Sequence, residues 1–361
     1  MLNTIKPDKV YFEVTNICNF KCDFCSIHYS KREKQFMDFA LFKKGIDDIV
    51  KNKLTNTVCF HILGEPFLYP HIFDALSYAK SKGLRTDLTT NGSLLTTETV
   101  KRLVEENLVD KLNISVETIY EKEHECRGSN IPFEKYYKGI LEAVKFIKQS
   151  NSKTNIELCL MNTETKKYFD IDKDMQIAVQ KDGFKRKLLP FIIDIYTAIG
   201  KKVTYETVET LTKGINVHRP ILIRITDNIT VYVQMLADWG NAFTSGRIHP
   251  CKHGCCGYAL TNVGILNTGE VTICCVDYDG KTSLGNINNS SLGEILSSSK
   301  ANEIKESFKK MKVVDPYCQK CFGSTNKAKA VLKGLVSIYL FKILNFQPAN
   351  VKEAYLDWYV F

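Results

Sequence analysis

The chain has 361 residues, 44% of them apolar, with 13 cysteines and a formal net charge of +9, enough for one large domain and a small one. Met1 to Lys9 is short and polar, no run of 18 apolar residues follows, and no basic block exceeds Lys31-Arg32 with Lys34 or Lys185-Arg186-Lys187; a secretory signal, a spanning helix and nucleic-acid binding are argued against, and the charge excess reads as solvated surface. Many cysteines without a signal point to metal ligation in a reducing, cytoplasmic setting, not to disulfides.

Residues 9–15 read as a strand, Val10, Phe12 and Val14 alternating with Tyr11 and Glu13. The strand leads straight into Cys18, Cys22 and Cys25, spaced C-x3-C-x2-C. Three thiolates in one tight loop can hold three corners of a 4Fe–4S cubane, which ordinarily takes four. One iron then stays open to a ligand. Taken alone, the loop is also compatible with a zinc-type cysteine cluster. Helical spacing follows at 39–50, 72–79, 97–104 and 133–147, and strand-like runs at 57–63, 84–89, 112–116 and 156–161. Such alternation argues for parallel βα units with right-handed crossovers. The pattern alone fits a doubly wound open sheet as well as a barrel. Residues 190–199 read as a helix and 203–211 stay undecided. Residues 221–225 and 229–235 read as paired strands turning at Asp227-Asn228.

Seven cysteines lie beyond residue 250. Two strands, 259–266 and 271–273, form a hairpin about Asn267-Thr268-Gly269, with Cys256 before it and Cys274 and Cys275 after it. A helix near 292–296 precedes Cys318-Gln319-Lys320-Cys321. A C-x2-C pair set against a cysteine hairpin can supply four thiolates to one iron–sulfur cluster or to a zinc ion. Cys59 and Cys159 fall inside strands and read as small buried apolar residues; Cys126 has no evident role. Residues 330–346 are strongly apolar, fitting a helix packed on the barrel or over the second cysteine site, or a basic amphipathic helix on a membrane surface. Trp358 and Tyr359 suggest a docked C-terminus.

The cysteine loop, with Phe24 just before the third cysteine, resembles that of the radical S-adenosylmethionine (SAM) enzymes. Gly64-Glu65-Pro66 is similar to the family's G-E-P element, which meets the SAM amino group. Thr89-Thr90-Asn91-Gly92 is similar to its pocket-wall T-N-G, though Asn-Gly is also an ordinary turn. Leu112 to Glu117 resembles the fourth-strand signature, with Ser115 and Glu117 on one side of the strand. Arg127 resembles the arginine that pairs with the SAM carboxylate. With five elements in order, the chain is identified as a member of this family. The resemblance implies an α/β fold, a partial (β/α)6 barrel, with 229–235 as sixth strand. It implies SAM bound at the cluster of Cys18, Cys22 and Cys25, flanked by Phe24, Gly64, Glu65, Pro66, Asn91, Ser115, Glu117 and Arg127.

The C-terminal cysteines resemble the SPASM or twitch extension, whose Cys–Gly–Cys pattern Cys256, Gly269 and Cys274 fit. This implies a small α+β domain and one auxiliary 4Fe–4S cluster on Cys256, Cys274, Cys318 and Cys321. Cys251, Cys255 and Cys275 are spares, one of which can replace a named ligand. The expected divisions are 1–250, with an irregular insertion at about 166–228, then 251–325, then a helix and tail at 326–361. The implied activity is reductive SAM cleavage and hydrogen abstraction, with net two-electron oxidation of an alcohol in a sugar or cyclitol-type molecule. Modification of a ribosomal peptide is the alternative; the few residues before the first strand leave no room for a leader-binding domain. A non-catalytic iron–sulfur electron carrier would not need Gly64–Pro66 or Arg127. The partners are a small-molecule or peptide substrate and a one-electron reductant such as flavodoxin or ferredoxin, with peripheral membrane contact compatible with the apolar tail. No catalytic residue is assigned; His61 and Tyr258 stand out by position only.

Overall fold

The computed structural model describes residues 4–162, 184–212, 220–236 and 238–344. Much of the expected insertion, and the chain end bearing Trp358 and Tyr359, lie outside the described residues. The first half alternates as expected: β1 (Lys9–Phe12), α1 (Phe39–Asn52), β2 (Thr57–Phe60), α2 (Ile72–Ser81), β3 (Arg85–Thr90), α3 (Thr97–Glu105), β4 (Lys111–Glu117), a short α4 (Glu121–His124), α5 (Phe133–Gln149) and β5 (Asn155–Asn162). The helices start where the sequence caps them. Asp38 accepts from the Leu41 amide ahead of α1, and Thr96 from the Thr99 amide ahead of α3.

Next come α6 (Phe184–Ala198), α7 (Tyr205–Thr212), β6 (Ile221–Thr226) and β7 (Ile229–Met235). The undecided stretch at 203–211 is thus mostly helix. Pro190 sits inside α6, not at its start. β6 and β7 pair antiparallel, and β7 pairs parallel with β5, so residues 229–235 are the sixth strand of the parallel set.

The C-terminal part contributes β8 (Asn262–Ile265), β9 (Glu270–Thr272), β10 (Gly285–Asn286), α8 (Leu292–Leu296), α9 (Ser299–Lys309), α10 (Pro316–Cys321) and α11 (Lys327–Ile338). The hairpin strand begins at Asn262, not Ala259, because residues 259–261 turn, with Leu260 in the left-handed region. The hairpin also continues the main sheet: β8 lies parallel to β1, with Val10 opposite Val263. The order is β10-β9-β8-β1-β2-β3-β4-β5-β7-β6, an open ten-stranded sheet with a parallel centre, a partial barrel.

Strand alternation sorts the two faces. Val10, Phe12, Leu112 and Ile114 are fully buried in the apolar core. Their neighbours Lys9 and Lys111 point to the opposite, concave face, where they pair with Asp87 and Glu157 at 2.6 and 2.9 Å. The concave face is thus polar and cross-linked. A cavity opens at its upper end, where the parallel strands finish and βα loops gather sites.

Candidate functional site

The cysteine loop is held from two sides. The Lys21 and Asp23 amides donate to the carbonyls of Arg127 and Cys126 at 3.0 and 2.9 Å, zipping the loop to the turn after α4. The Glu65 amide donates to the Ile17 carbonyl at 2.8 Å. Gly64 makes this approach feasible: its φ is +78°, and a Cβ there would sit 2.4 Å from the Thr15 carbonyl oxygen. A bidentate Arg32–Glu13 pair at 2.6–2.7 Å also reaches the Asn267 side chain, fastening the loop's exit to the hairpin turn.

One cavity of about 270 Å³ opens above the strand ends and collects the loop and motif residues. Cys18, Cys22, Cys25 and Phe24 line it from the loop, Gly64 and Glu65 from β2, and Thr90 and Asn91 from β3. Ser115, Glu117 and Arg127 line it from β4 and the segment beyond. Pro66 is buried beside it as the first residue of a 3-10 turn.

The charged members are almost fully enclosed: Glu65, Glu117 and Arg127 are 1%, 6% and 2% exposed. Glu65 ties the motifs together, accepting from the Thr90 hydroxyl and the Asn91 amide, both at 2.7 Å. Burial pushes its carboxyl up, against those hydrogen bonds. Glu117 reaches the cavity through a bulge: the pairing with β5 shifts between Ser115 and Glu117, and Glu117 has φ +65°. Simple alternation therefore gives the right side for the wrong backbone. The Gln234 amide donates to both Glu117 oxygens at 3.0 and 3.1 Å.

Arg127 donates to the Val116 carbonyl at 3.1 Å and to the Tyr136 hydroxyl, and its guanidinium lies 4.8 Å from the Phe20 ring centre. Its charge lies within reach of the Cys22 thiol. Its Nε is buried with no hydrogen-bond partner among the described residues. An anionic group entering the cavity would satisfy that donor. Burial pushes all three loop thiols up, Cys25 to about 12, so each needs a cationic partner to become a thiolate. Three such sulfurs beside an orphaned guanidinium N–H suit an iron–sulfur cluster with an anionic ligand.

Several residues of the cavity are not among those expected from the sequence. Gln234 belongs to the polar inner face at the end of β7, a position its alternation with Val231 and Val233 could have revealed. Trp239 closes the far wall, with φ +46°, followed by Gly240 and Asn241 also in the left-handed region. No local pattern signals that loop. Asn241 donates to the carbonyls of Lys320, Cys321 and Gly323, linking the cavity wall to α10. His61 lines the cavity, and Tyr258 is exposed.

The second cysteine group surrounds the base of the hairpin. Asp315 caps α10, accepting from the Tyr317 and Cys318 amides at 2.9 and 3.0 Å. Cys318 and Cys321 then share one helix face. Burial pushes the Cys274, Cys318 and Cys321 thiols up, and each also feels the charge of Cys256. Burial pushes the Cys275 thiol up to about 12, with a smaller effect of Cys256, and its charge is also felt by Tyr11 and Cys59. Cys251 and Cys255 turn elsewhere: the Cys251 thiol donates to the His253 carbonyl at 3.1 Å, and the Cys255 thiol to the Phe308 carbonyl at 3.8 Å. Cys126 lies on the turn that pairs with the cysteine loop.

The radical SAM superfamily profile matches residues 12–174, and that of the SPASM iron–sulfur cluster-binding domain matches residues 255–322. A tungsten-containing aldehyde ferredoxin oxidoreductase cofactor-modifying protein of Pyrococcus furiosus is 35% identical over 96 residues, 27% of each chain. An AdoMet-dependent heme synthase of Methanosarcina barkeri is 30% identical over 181 residues, 48% of this chain and 49% of that one. The chain thus spans between a quarter and a half of the length of these curated relatives. Among solved structures, SuiB of Streptococcus suis bound to the precursor peptide SuiA superposes with TM-score 0.54 and 17% identity, covering 84% of this chain and 67% of that one. That likeness concerns the fold. The two domains imply a SAM-binding and an auxiliary 4Fe–4S cluster.

Proposed function

The chain carries a radical SAM domain followed by a SPASM domain, and we propose that the two act as one oxidoreductase on a small polar substrate. In this reading Cys18, Cys22 and Cys25 hold the SAM-binding cluster, and Cys256, Cys274, Cys318 and Cys321 the auxiliary one. When bound, the first cluster supplies the electron that breaks the SAM sulfonium bond and frees a 5′-deoxyadenosyl group to take a substrate hydrogen, and the second a sink for the electron the substrate loses. The protein's own part is to position and to exclude water. Arg127, with its spare N–H, is assigned the SAM carboxylate. The Gly64–Pro66 and Asn91 backbone, set by Glu65, receives the ammonium end. Ser115 and Glu117, with Gln234 behind the latter, face the ribose. Phe24 and Trp239 cover the apolar wall.

The supporting observation is that residues from seven separate chain segments, the cysteine loop among them, meet in one cavity above the strand ends. The polar concave face below the cavity supports an alcohol-bearing molecule such as a sugar or cyclitol. An external one-electron donor such as a flavodoxin or ferredoxin completes the cycle. A second reading, peptide modification, draws on the shared fold of SuiB, whose structure holds a precursor peptide. Anaerobic reconstitution with SAM and dithionite tests the shared core. The intact chain forms 5′-deoxyadenosine and Cys22→Ala forms none; product from the variant would refute the site. Deuterium passing into 5′-deoxyadenosine from labelled polyols, against labelled peptides, separates the two substrate readings.

A further inference from the structure

Helix α11 is built inside out. Its buried residues are Ala330, Gly334 and Ser337. They pack on the 251–255 segment: a Cβ on Gly334 would lie 2.4 Å from the His253 carbonyl oxygen and 2.9 Å from the Cys251 sulfur. The large apolar residues point the other way. Val331, Leu332, Leu335, Val336 and Tyr339 are 47–59% exposed, and Ile343 in the π-helical turn that follows is 69% exposed. Their spacing forms one stripe along the helix. Among the described residues fifteen large apolar side chains are exposed, and seven of them fall within 331–344. A helix packed over a cluster would present the opposite face, so this is not ordinary docking.

Positive charge is concentrated in the same stretch of the chain. Residues 300–344 hold ten lysines against Glu303, Glu306 and Asp315, so seven of the chain's nine excess positive charges fall there. From 327 to 344 there are four lysines and no carboxylate, although Lys333 pairs with Asp238 at 3.7 Å. Lys327 and Lys342 are exposed at the two ends of the apolar stripe. The exposed Lys310, Met311 and Lys312 lie alongside, tied to the 252–254 segment under α11 by the Gly254 amide to the Met311 carbonyl at 3.1 Å.

We propose that this face binds an anionic lipid surface, with the α11 stripe in the interface and the lysines over the headgroups. A second copy of the chain is disfavoured as occupant, because a two-fold contact would set two strongly basic faces together. Anionic headgroups meet both features at once: apolar burial and a negative potential that attracts each lysine. The helix is too short to span, and no helix among the described residues is long and apolar enough to cross a membrane. The protein would lie on the bilayer, not in it.

Co-sedimentation of the full chain with large vesicles of phosphatidylcholine, with and without phosphatidylglycerol, tests this. Binding is expected to anionic vesicles, to weaken steeply with salt, and to be slight with neutral ones. The double variant Leu332→Ser/Leu335→Ser alters only exposed side chains and should keep its melting temperature and iron content while losing roughly tenfold or more in vesicle affinity. Lys327→Gln/Lys342→Gln should lose a comparable factor, at about fivefold or more per lysine. No binding to anionic vesicles overturns the proposal, whether a second copy or the remaining C-terminal residues cover the stripe. So does wild-type binding by the leucine variant. A vesicle-free dimer that the leucine variant dissolves also overturns it, assigning the face to self-association.

Discussion

At the scale of single residues, the site rests on enclosure. Gly64 shows how little slack there is. Gly64→Ala places a methyl group against the Thr15 carbonyl in a left-handed backbone, costing roughly 1–3 kcal/mol and pushing the cysteine loop out of register. SAM affinity measured by calorimetry should fall at least about tenfold; unchanged affinity removes Gly64 from the site. His124 offers a second test. It is buried among Phe20, Phe133 and Tyr136, and burial, aided by Arg127, pushes its imidazole from 6.5 down to about 4. Between those values the unfolded chain takes a proton that the folded chain refuses, so stability falls as pH drops through that window. His124→Phe lacks this contribution. From about pH 7 to about pH 5 its melting temperature should fall less than that of the parent, and an equal fall contradicts the assignment. Both residues show what sequence can and cannot carry. Gly64 was legible because a short motif at a strand end has one local meaning. His124 was not, because its neighbours come from three separate segments.

At the scale of elements, the alternating strands and helices up to β5 were readable because each has one apolar face and one period. The bulge at Ser115–Glu117 was not, since a register shift depends on the partner strand. Nor was the union of the hairpin with β1, which makes the cysteine extension part of the main sheet. The auxiliary site depends on two of these elements, the hairpin and α10. Cys318→Ala/Cys321→Ala should lose about four irons per chain and keep part of its 5′-deoxyadenosine formation, because the SAM-side cavity draws no side chain from α10. Undiminished iron in that variant sinks the four-cysteine assignment and directs attention to Cys275, the spare next to Cys274 at the end of the hairpin.

At the scale of the whole molecule, the two cysteine groups stand on one open sheet, joined by the loop from Trp239 to Asn241. This arrangement suits a substrate held between a hydrogen-abstracting centre and an electron sink, and it is the physical basis of the oxidation reading. The net charge, taken from composition as solvated surface, falls largely within residues 300–344, the stretch that includes α11. Composition counts charges but says nothing of which face carries them. The central claim is that the cluster of Cys18, Cys22 and Cys25 has an iron free for SAM. Electron paramagnetic resonance of the reduced Cys318→Ala/Cys321→Ala protein, with and without SAM, tests it most directly. The account predicts that SAM changes the cluster signal, and that Cys22→Ala in the same background abolishes it. A signal indifferent to SAM would mean that all four irons are already capped.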